Sequence, residues 1–416
     1  MSDTPPPASA RDLLRQRDYV LFWVSRSLGS LGVQIQSVAM GWQVYDLSRQ
    51  QHLSINQASF NVSLIGLITF TPLFFLALPA GMSADRYDRR RIMQFCYFTE
   101  LSPSAILSAA ELFHFASVPL LLGVAVIFGA SRAFFAPALT ALGPMLVPRE
   151  LLPRAIAWNS LAGQFASIAG PAAAGVLIAL SPAAAFEGAF GLYLAALIGI
   201  SQIRGQTRPQ AQPGSRLTLV KEGLAYVWSN RIVFGAISLD LAAVILGGAT
   251  ALLPAFARDV LKIGPEGFGL LRSAPAAGAA LVALYLSARP IRSAAGLKMF
   301  IGVATYALAT VVFGVSRTLW LSVGALAMLG AADMMSVFVR QTLVQLVTPD
   351  PMRGRVAAVS TLFVSASNEL GEFRGGLVAR FLGPVNAVVY GGLGALIVTG
   401  VWARLFPALR TADRLA

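Results

Sequence analysis

The sequence predicts an all-α integral membrane fold: twelve transmembrane helices in two pseudo-symmetric six-helix halves. Three observations carry this. Apolar residues make up 56% of the 416 and charged residues only 12%, about half the charged share of a soluble domain. The apolar residues fall in runs of about 20, the length at which a helix crosses a bilayer. The second half of the chain also repeats landmarks of the first at one constant offset.

The apolar runs place spans at 17–46, 57–80, 92–112, 117–143, 155–180, 183–203, 232–256, 268–288, 298–316, 319–345, 355–380 and 384–405. Basic residues crowd into alternate loops, as the positive-inside rule requires. Arg11, Arg15 and Arg17 precede span one, and Arg86, Arg89, Arg90 and Arg91 follow span two. Arg149 and Arg154 follow span four, and Arg204, Arg208, Arg216, Lys221 and Arg231 follow span six. Arg289, Arg292 and Lys298 follow span eight, Arg353 and Arg355 span ten, and Arg404, Arg410 and Arg414 span twelve. The opposite loops hold little more than Arg49, Arg258, Lys262 and Arg317. Both termini are therefore expected in the cytoplasm of a bacterial-type inner membrane. This placement also explains the net charge of +13 without nucleic acid.

The repeat has an offset of 201 residues, since Gly129 matches Gly330 and 330 − 129 = 201. In the same register Leu142 matches Leu343, Pro148 matches Pro349, and Arg154 matches Arg355. Ala157 matches Ala358, Gly170 matches Gly371, and Gly175 matches Gly376. Two parallel halves are a known transporter plan, with the substrate site near the bilayer midplane. The expected organisation is a disordered tail 1–16, a first half 17–203, a linker 204–231, a second half 232–405 and a tail 406–416. No signal peptide precedes span one. In the linker, Leu217, Val220, Leu224 and Val227 recur at helical spacing beside Lys221 and Glu222. This reads as an amphipathic helix on the cytoplasmic membrane face, or as a solvated linker helix.

Enzyme chemistry finds no footing. None of Lys221, Lys262 and Lys298 follows a glycine, so no phosphate-binding G-K-[ST] loop exists. His52 and His114 are the only histidines and fall in loops, which leaves no metal cluster and no hydrolytic triad. Cys96 is the single cysteine, so no internal disulfide is possible. No cofactor is expected.

Charges inside apolar spans remain. Each costs roughly 2.5–3.5 kcal/mol at a helix centre, so each needs a partner, water or a function. They are Arg26 in span one, Glu100 in three, Arg132 in four, Asp240 in seven, Asp333 and Arg340 in ten, and Glu369, Glu372 and Arg374 in eleven. The repeat makes Arg132 and Asp333 equivalent, since 132 + 201 = 333. A pair between them reads either as a protonation switch or as a fixed ion pair. Glu100 reads as a coupling group or as a helix–helix contact.

The segment Gly81-Met82-Ser83-Ala84-Asp85-Arg86-Tyr87-Asp88-Arg89-Arg90-Arg91 lies between spans two and three. It resembles the signature G-x-x-x-D-R-x-G-R-R of the major facilitator superfamily. Asp88 stands in the last glycine slot, and Asp tolerates the left-handed turn better than most residues. Span five carries Ala166, Gly170, Pro171, Ala174 and Gly175, similar to the superfamily's antiporter motif G-x-x-x-G-P-x-x-G-G with Ala at two glycine slots. The alternative is ordinary small-residue packing. The phrases Val147–Ala155, Arg353–Val356 and Ser367–Phe373 resemble the branch that contains the enterobactin exporter.

The resemblance implies a transporter with a central cavity lined by spans one, four, seven and ten. Arg26, Arg132, Asp240, Asp333 and Arg340 then face the cavity, and Glu100 joins the coupling candidates. Gln34, Gln36, Phe134, Phe135, Met334 and Met335 are the lining candidates. It also implies a cytoplasmic gate built from Gly81, Asp85, Arg86, Arg89 and Arg90 with Arg355, and a helix-bend motif at Gly170, Pro171 and Gly175. Proton-driven export of a siderophore or drug-like molecule follows as the expectation, with the lipid bilayer, protons and a small molecule as partners and a monomer as the state. A nutrient uptake permease and a non-transporting sensor or assembly factor are the alternatives. The latter has no soluble domain or long loop in its favour.

Overall fold

Backbone polar groups in lipid must bond within their own segment, so apolar runs of this length fold as helices. The computed structural model describes residues 10–205, 207–208, 216–289, 291 and 293–411, and every regular element among them is helical. Twelve long helices follow the expected spans. Spans one to six are Arg17–Gln50, Ile55–Arg86, Arg89–Leu112, Val118–Leu142, Leu152–Leu180 and Pro182–Ser201. Spans seven to twelve are Arg231–Gly247, Gly264–Ala288, Ala295–Val315, Leu319–Val347, Asp350–Leu382 and Pro384–Leu405. Nine of the described helices are long and apolar enough to cross a membrane on length and composition, span seven being followed through Val260. Spans one, three and eleven fall outside that set because they carry embedded polar and charged residues.

The repeat is visible in the backbone. Pro148 has φ −58° and ψ 154°, and its counterpart Pro349 has φ −55° and ψ 145°. Each starts the helical segment that leads into span five or span eleven.

Three expectations change. The segment Gly81–Arg86 is the last part of span two, not a loop, because the helix continues beyond its apolar run. Asp88 does not take the left-handed conformation; at φ −59° and ψ 115° it caps span three by accepting a hydrogen bond from the Arg90 N–H. The Asp88 carboxylate satisfies a free N–H of the helix start, which glycine, lacking a side chain, does not do. Residues 10–14, expected within a disordered tail, form a short helix with Leu13 fully buried, while 1–9 lie outside the described residues.

The chain divides into two compact units. One holds residues 1–39, 71–116 and 123–214, and the other 40–70, 117–122 and 215–416. In the first, Tyr19, Phe22, Tyr97, Phe128, Phe186 and Tyr193 are buried. Span one is tied to span five by Tyr19 Oη donating to the Ala155 carbonyl at 3.0 Å and Trp23 Nε1 to the Trp158 carbonyl at 3.0 Å. The small-residue face of span five is buried, and a side chain at Gly170 would meet Gln34 Cβ at 2.5 Å. Close approach of spans one and five therefore requires glycine there.

In the second unit, Leu239, Ala243, Met299, Phe300, Val303, Val339 and Leu343 form the main buried cluster, joined by Leu409 from the C-terminal segment. The linker helix, Arg216–Ser229, buries Val227 against Val233, Ile237, Val344, Val356 and Val359. It leaves Trp228 exposed. Span seven is irregular after Gly247: it passes through a 3-10 turn and a short α turn into a π turn at Phe256–Val260.

Candidate functional site

Embedded charge gathers in three places. In the second unit, Asp240 of span seven lies 3.3 Å from Arg340 of span ten. Both are buried, Arg340 at 2% exposure. Arg340 Nη1 also donates to Ser360 Oγ at 3.0 Å. Asp333, two turns before Arg340 on span ten, lies within electrostatic reach of both Asp240 and Arg340. One carboxylate thus contacts the Arg340 guanidinium and a second lies within its electrostatic reach. A cavity of about 10 Å³ opens among Asp240, Asp333, Tyr306 and Ser336, about the room of a single water. The Ser336 hydroxyl is buried without a partner among the described residues.

The first unit has its own cluster. Glu100 of span three is 4% exposed, and its Oε2 has no hydrogen-bond partner among the described residues. Arg132 of span four lies within its electrostatic reach and Ser131 within hydrogen-bond reach. Tyr193 lies within electrostatic reach of Glu100 and Arg132, and Tyr97 Oη donates to the Ser25 carbonyl at 3.0 Å. Arg26 faces Tyr19 and Tyr97. The repeat-equivalent Arg132 and Asp333 therefore each have an oppositely charged neighbour inside their own unit, which the repeat alone did not indicate.

The third cluster was not anticipated. At the end of span one Asp46 pairs with Arg258, and Tyr45 Oη donates to Asp259 Oδ2 at 2.5 Å. Arg49 reaches Asp259 at 3.4 Å and donates to the Leu53 carbonyl at 2.6 Å. The π turn of span seven sets Arg258 and Asp259 for these partners. The available signal was an acid–base pair three residues apart, Asp46 and Arg49, facing a second adjacent pair, Arg258 and Asp259.

Span eleven explains its own charges. Gly371 and Gly375 lie against the span seven backbone, where an added Cβ at Gly371 would meet the Val244 carbonyl oxygen at 2.7 Å. The break at Gly247 frees carbonyls, and Arg374 donates to the Leu246 carbonyl at 2.6 Å. Glu372 pairs with Arg272 of span eight at 3.7 Å, and Glu369 lies beside Gly66 of span two. All of these are contacts between helices.

Two lining expectations are corrected. Gln36 is fully buried between spans one and three, where its Oε1 accepts from Ser104 Oγ at 2.6 Å. Phe134 lines a cavity beside the span two–three junction with Arg86 and Arg91. Phe135 packs edge-on against Tyr97, and Met335 packs against the second unit's core. Gln34 backs Gly170, and Met334 is half-buried. In the motif segment, Arg89 Nε donates to the Ala84 carbonyl at 3.1 Å and Arg90 to the Ile203 carbonyl. Asp85 and Arg86 are exposed, and Gly81 is buried. Arg355 pairs with Glu222 of the linker helix. Pro171 and Gly175 lie within the continuous helix of span five.

The family described as transmembrane secretion effectors matches residues 8–415. The chain is similar to the multidrug efflux pump Tap of Mycobacterium tuberculosis, with 27% identity over 95% of this chain and 94% of that one. It is also similar to the enterobactin exporter EntS of Shigella boydii, with 27% identity over 89% of this chain and 86% of that one. Among solved structures, a bacterial homologue of the lysosomal transporter Spinster, inward-facing, matches with a TM-score of 0.69 at 16% identity over 95% and 96% of the two chains. The inward-open xylose transporter XylE of E. coli matches with a TM-score of 0.67 at 13% identity over 93% and 96%. These structures establish the fold.

Proposed function

Because the chain belongs to the transmembrane secretion effector family of the major facilitator superfamily, we propose that it exports a small amphipathic molecule across a bacterial inner membrane in exchange for protons. The chain is a membrane transporter and not an enzyme. Export is supported by relatives named for efflux of drugs and of enterobactin.

Proton coupling rests on one observation: Asp240, paired with Arg340, and Asp333 line one cavity with room for about one water. With both carboxylates ionised the cluster carries one uncompensated negative charge in a low-dielectric site. One proton neutralises it. Proton arrival and departure therefore change the local charge between −1 and 0, a difference that two conformations of the surrounding helices can weigh unequally. Glu100 beside Arg132 offers a second such group in the other unit.

The test compares cells with and without the protein for retention of a panel of siderophores and drugs. Export by this route predicts greater retention of at least one compound in the deletion strain. Wild-type cells given a proton uncoupler, and cells carrying Asp333→Asn at normal protein level, should show the same retention. Faster accumulation when the protein is present would favour the uptake permease. Retention indifferent to the uncoupler would remove the proton from the mechanism.

A further inference from the structure

We propose that the first unit carries a binding site for the phosphate headgroup of an anionic phospholipid, built by Arg86, Arg91 and Arg208. These residues line a cavity of about 440 Å³ where span two ends and span three begins, together with Ser83, Tyr87 and Phe95. This site is separate from the embedded charge clusters described above.

The arginine run divides into two roles. Arg89 and Arg90 point inward and bond the Ala84 and Ile203 carbonyls, so they fasten the chain. Arg86, Arg91 and Arg208 make no ion pair and no hydrogen bond among the described residues. The single carboxylate on the cavity wall, Asp88, is already engaged. Its Oδ1 accepts from the Arg90 N–H at 3.0 Å and from Thr207 Oγ1 at 2.5 Å. Three positive side chains against one occupied carboxylate leave the cavity with a net charge of +2. A planar guanidinium matches the paired oxygens of a phosphate better than any other side chain does.

The surroundings favour a lipid as the source of that phosphate. The cavity opens beside exposed apolar residues: Tyr87 at 64%, Phe95 at 66% and Phe98 at 62%. Phe95 and Phe98 lie one turn apart on span three, an exposed apolar pair that suits contact with acyl chains. A headgroup in the cavity would thus have its acyl chains running along span three. Arg86, Arg89, Arg90 and Arg91 lie at the junction of spans two and three, and Arg208 comes from the segment after span six, both expected on the cytoplasmic side, where anionic lipid attracts juxtamembrane arginines.

The experiment uses the full-length protein, purified and delipidated in detergent. Native mass spectrometry counts bound phosphatidylglycerol, cardiolipin and phosphatidylethanolamine, each alone and in competition with inorganic phosphate. Each arginine removed should weaken anionic-lipid binding about fivefold. The combined Arg86→Gln, Arg91→Gln, Arg208→Gln protein should therefore retain almost none. Arg289→Gln, an exposed arginine in the other unit, should bind as wild type does. A triple lysine variant keeps the charge and serves as the folding control; it should recover part of the binding. Phosphatidylethanolamine should bind weakly, and inorganic phosphate should not displace the anionic lipid. Unchanged lipid retention in the triple glutamine variant would overturn the site. Displacement by inorganic phosphate would reassign it to a free anion, and equal binding of phosphatidylethanolamine would reduce it to ordinary annular contact. Should the glutamine variant fail to fold, Arg91→Gln alone decides, through its expected fivefold loss.

Discussion

Replacing Arg340 should harm this protein far more than replacing its ion-pair partner. Arg340 is 2% exposed and Asp240 lies 3.3 Å away, yet Asp333 stands within reach of both. Asp240→Asn leaves one cation facing one anion, so the cluster is neutral without a bound proton. The cost is one charge-assisted bond, about 1–3 kcal/mol. Arg340→Gln leaves two carboxylates without a counter-charge and strips Ser360 Oγ of its donor. Removing one partner of a buried pair in this way costs about 3–5 kcal/mol. The double variant removes one charge of each sign and leaves a single carboxylate. It should recover about 1–2 kcal/mol of the Arg340→Gln loss, within the range of coupling energies for contacting residues. The assay is the thermal midpoint of the detergent-purified protein across the four-member cycle, with expression level as a second readout. Equal losses for the two single variants, or a double variant below both, would refute this arrangement of the three charges.

Two further outcomes follow from other contacts. Arg374→Ala removes the donor to the Leu246 carbonyl at 2.6 Å and leaves the break in span seven uncapped. A loss of about 1.5–3 kcal/mol is expected, read as a lower thermal midpoint, with faster hydrogen exchange confined to residues near Gly247. The Asp46–Arg258 pair is partly exposed, so Asp46→Arg alone should cost only about 1 kcal/mol of stability. Combined with Arg258→Asp it should return to the wild-type midpoint, and a swap no better than the single variant would show that the pair contributes nothing.

Several features are legible in the sequence alone. The twelve helices are, because a run of about 20 apolar residues has one way to satisfy its backbone in lipid. The matched geometry of Pro148 and Pro349 is legible too, since the offset joins them in sequence. The embedded charges announced themselves by their cost in an apolar run. Their partners did not. The repeat suggested Arg132 with Asp333, whereas Asp333 neighbours Arg340 and Asp240, and Arg132 neighbours Glu100. Glu100 and Arg132, 32 residues apart, and Asp240 and Arg340, 100 apart, meet according to helix rotation and crossing, which sequence spacing leaves open.

What the sequence by itself determined is the set of elements and the residues too expensive to bury alone, because both depend on local transfer free energies. What only the tertiary structure decided is which of those residues share a charge. It sorted Arg89 and Arg90 to backbone carbonyls, Arg374 to a broken helix, and left Arg86, Arg91 and Arg208 around an open cavity. Six arginines of one chemical type acquired different tasks because a guanidinium takes the acceptor that folding brings within about 3 Å, and no property of the residue itself names that acceptor.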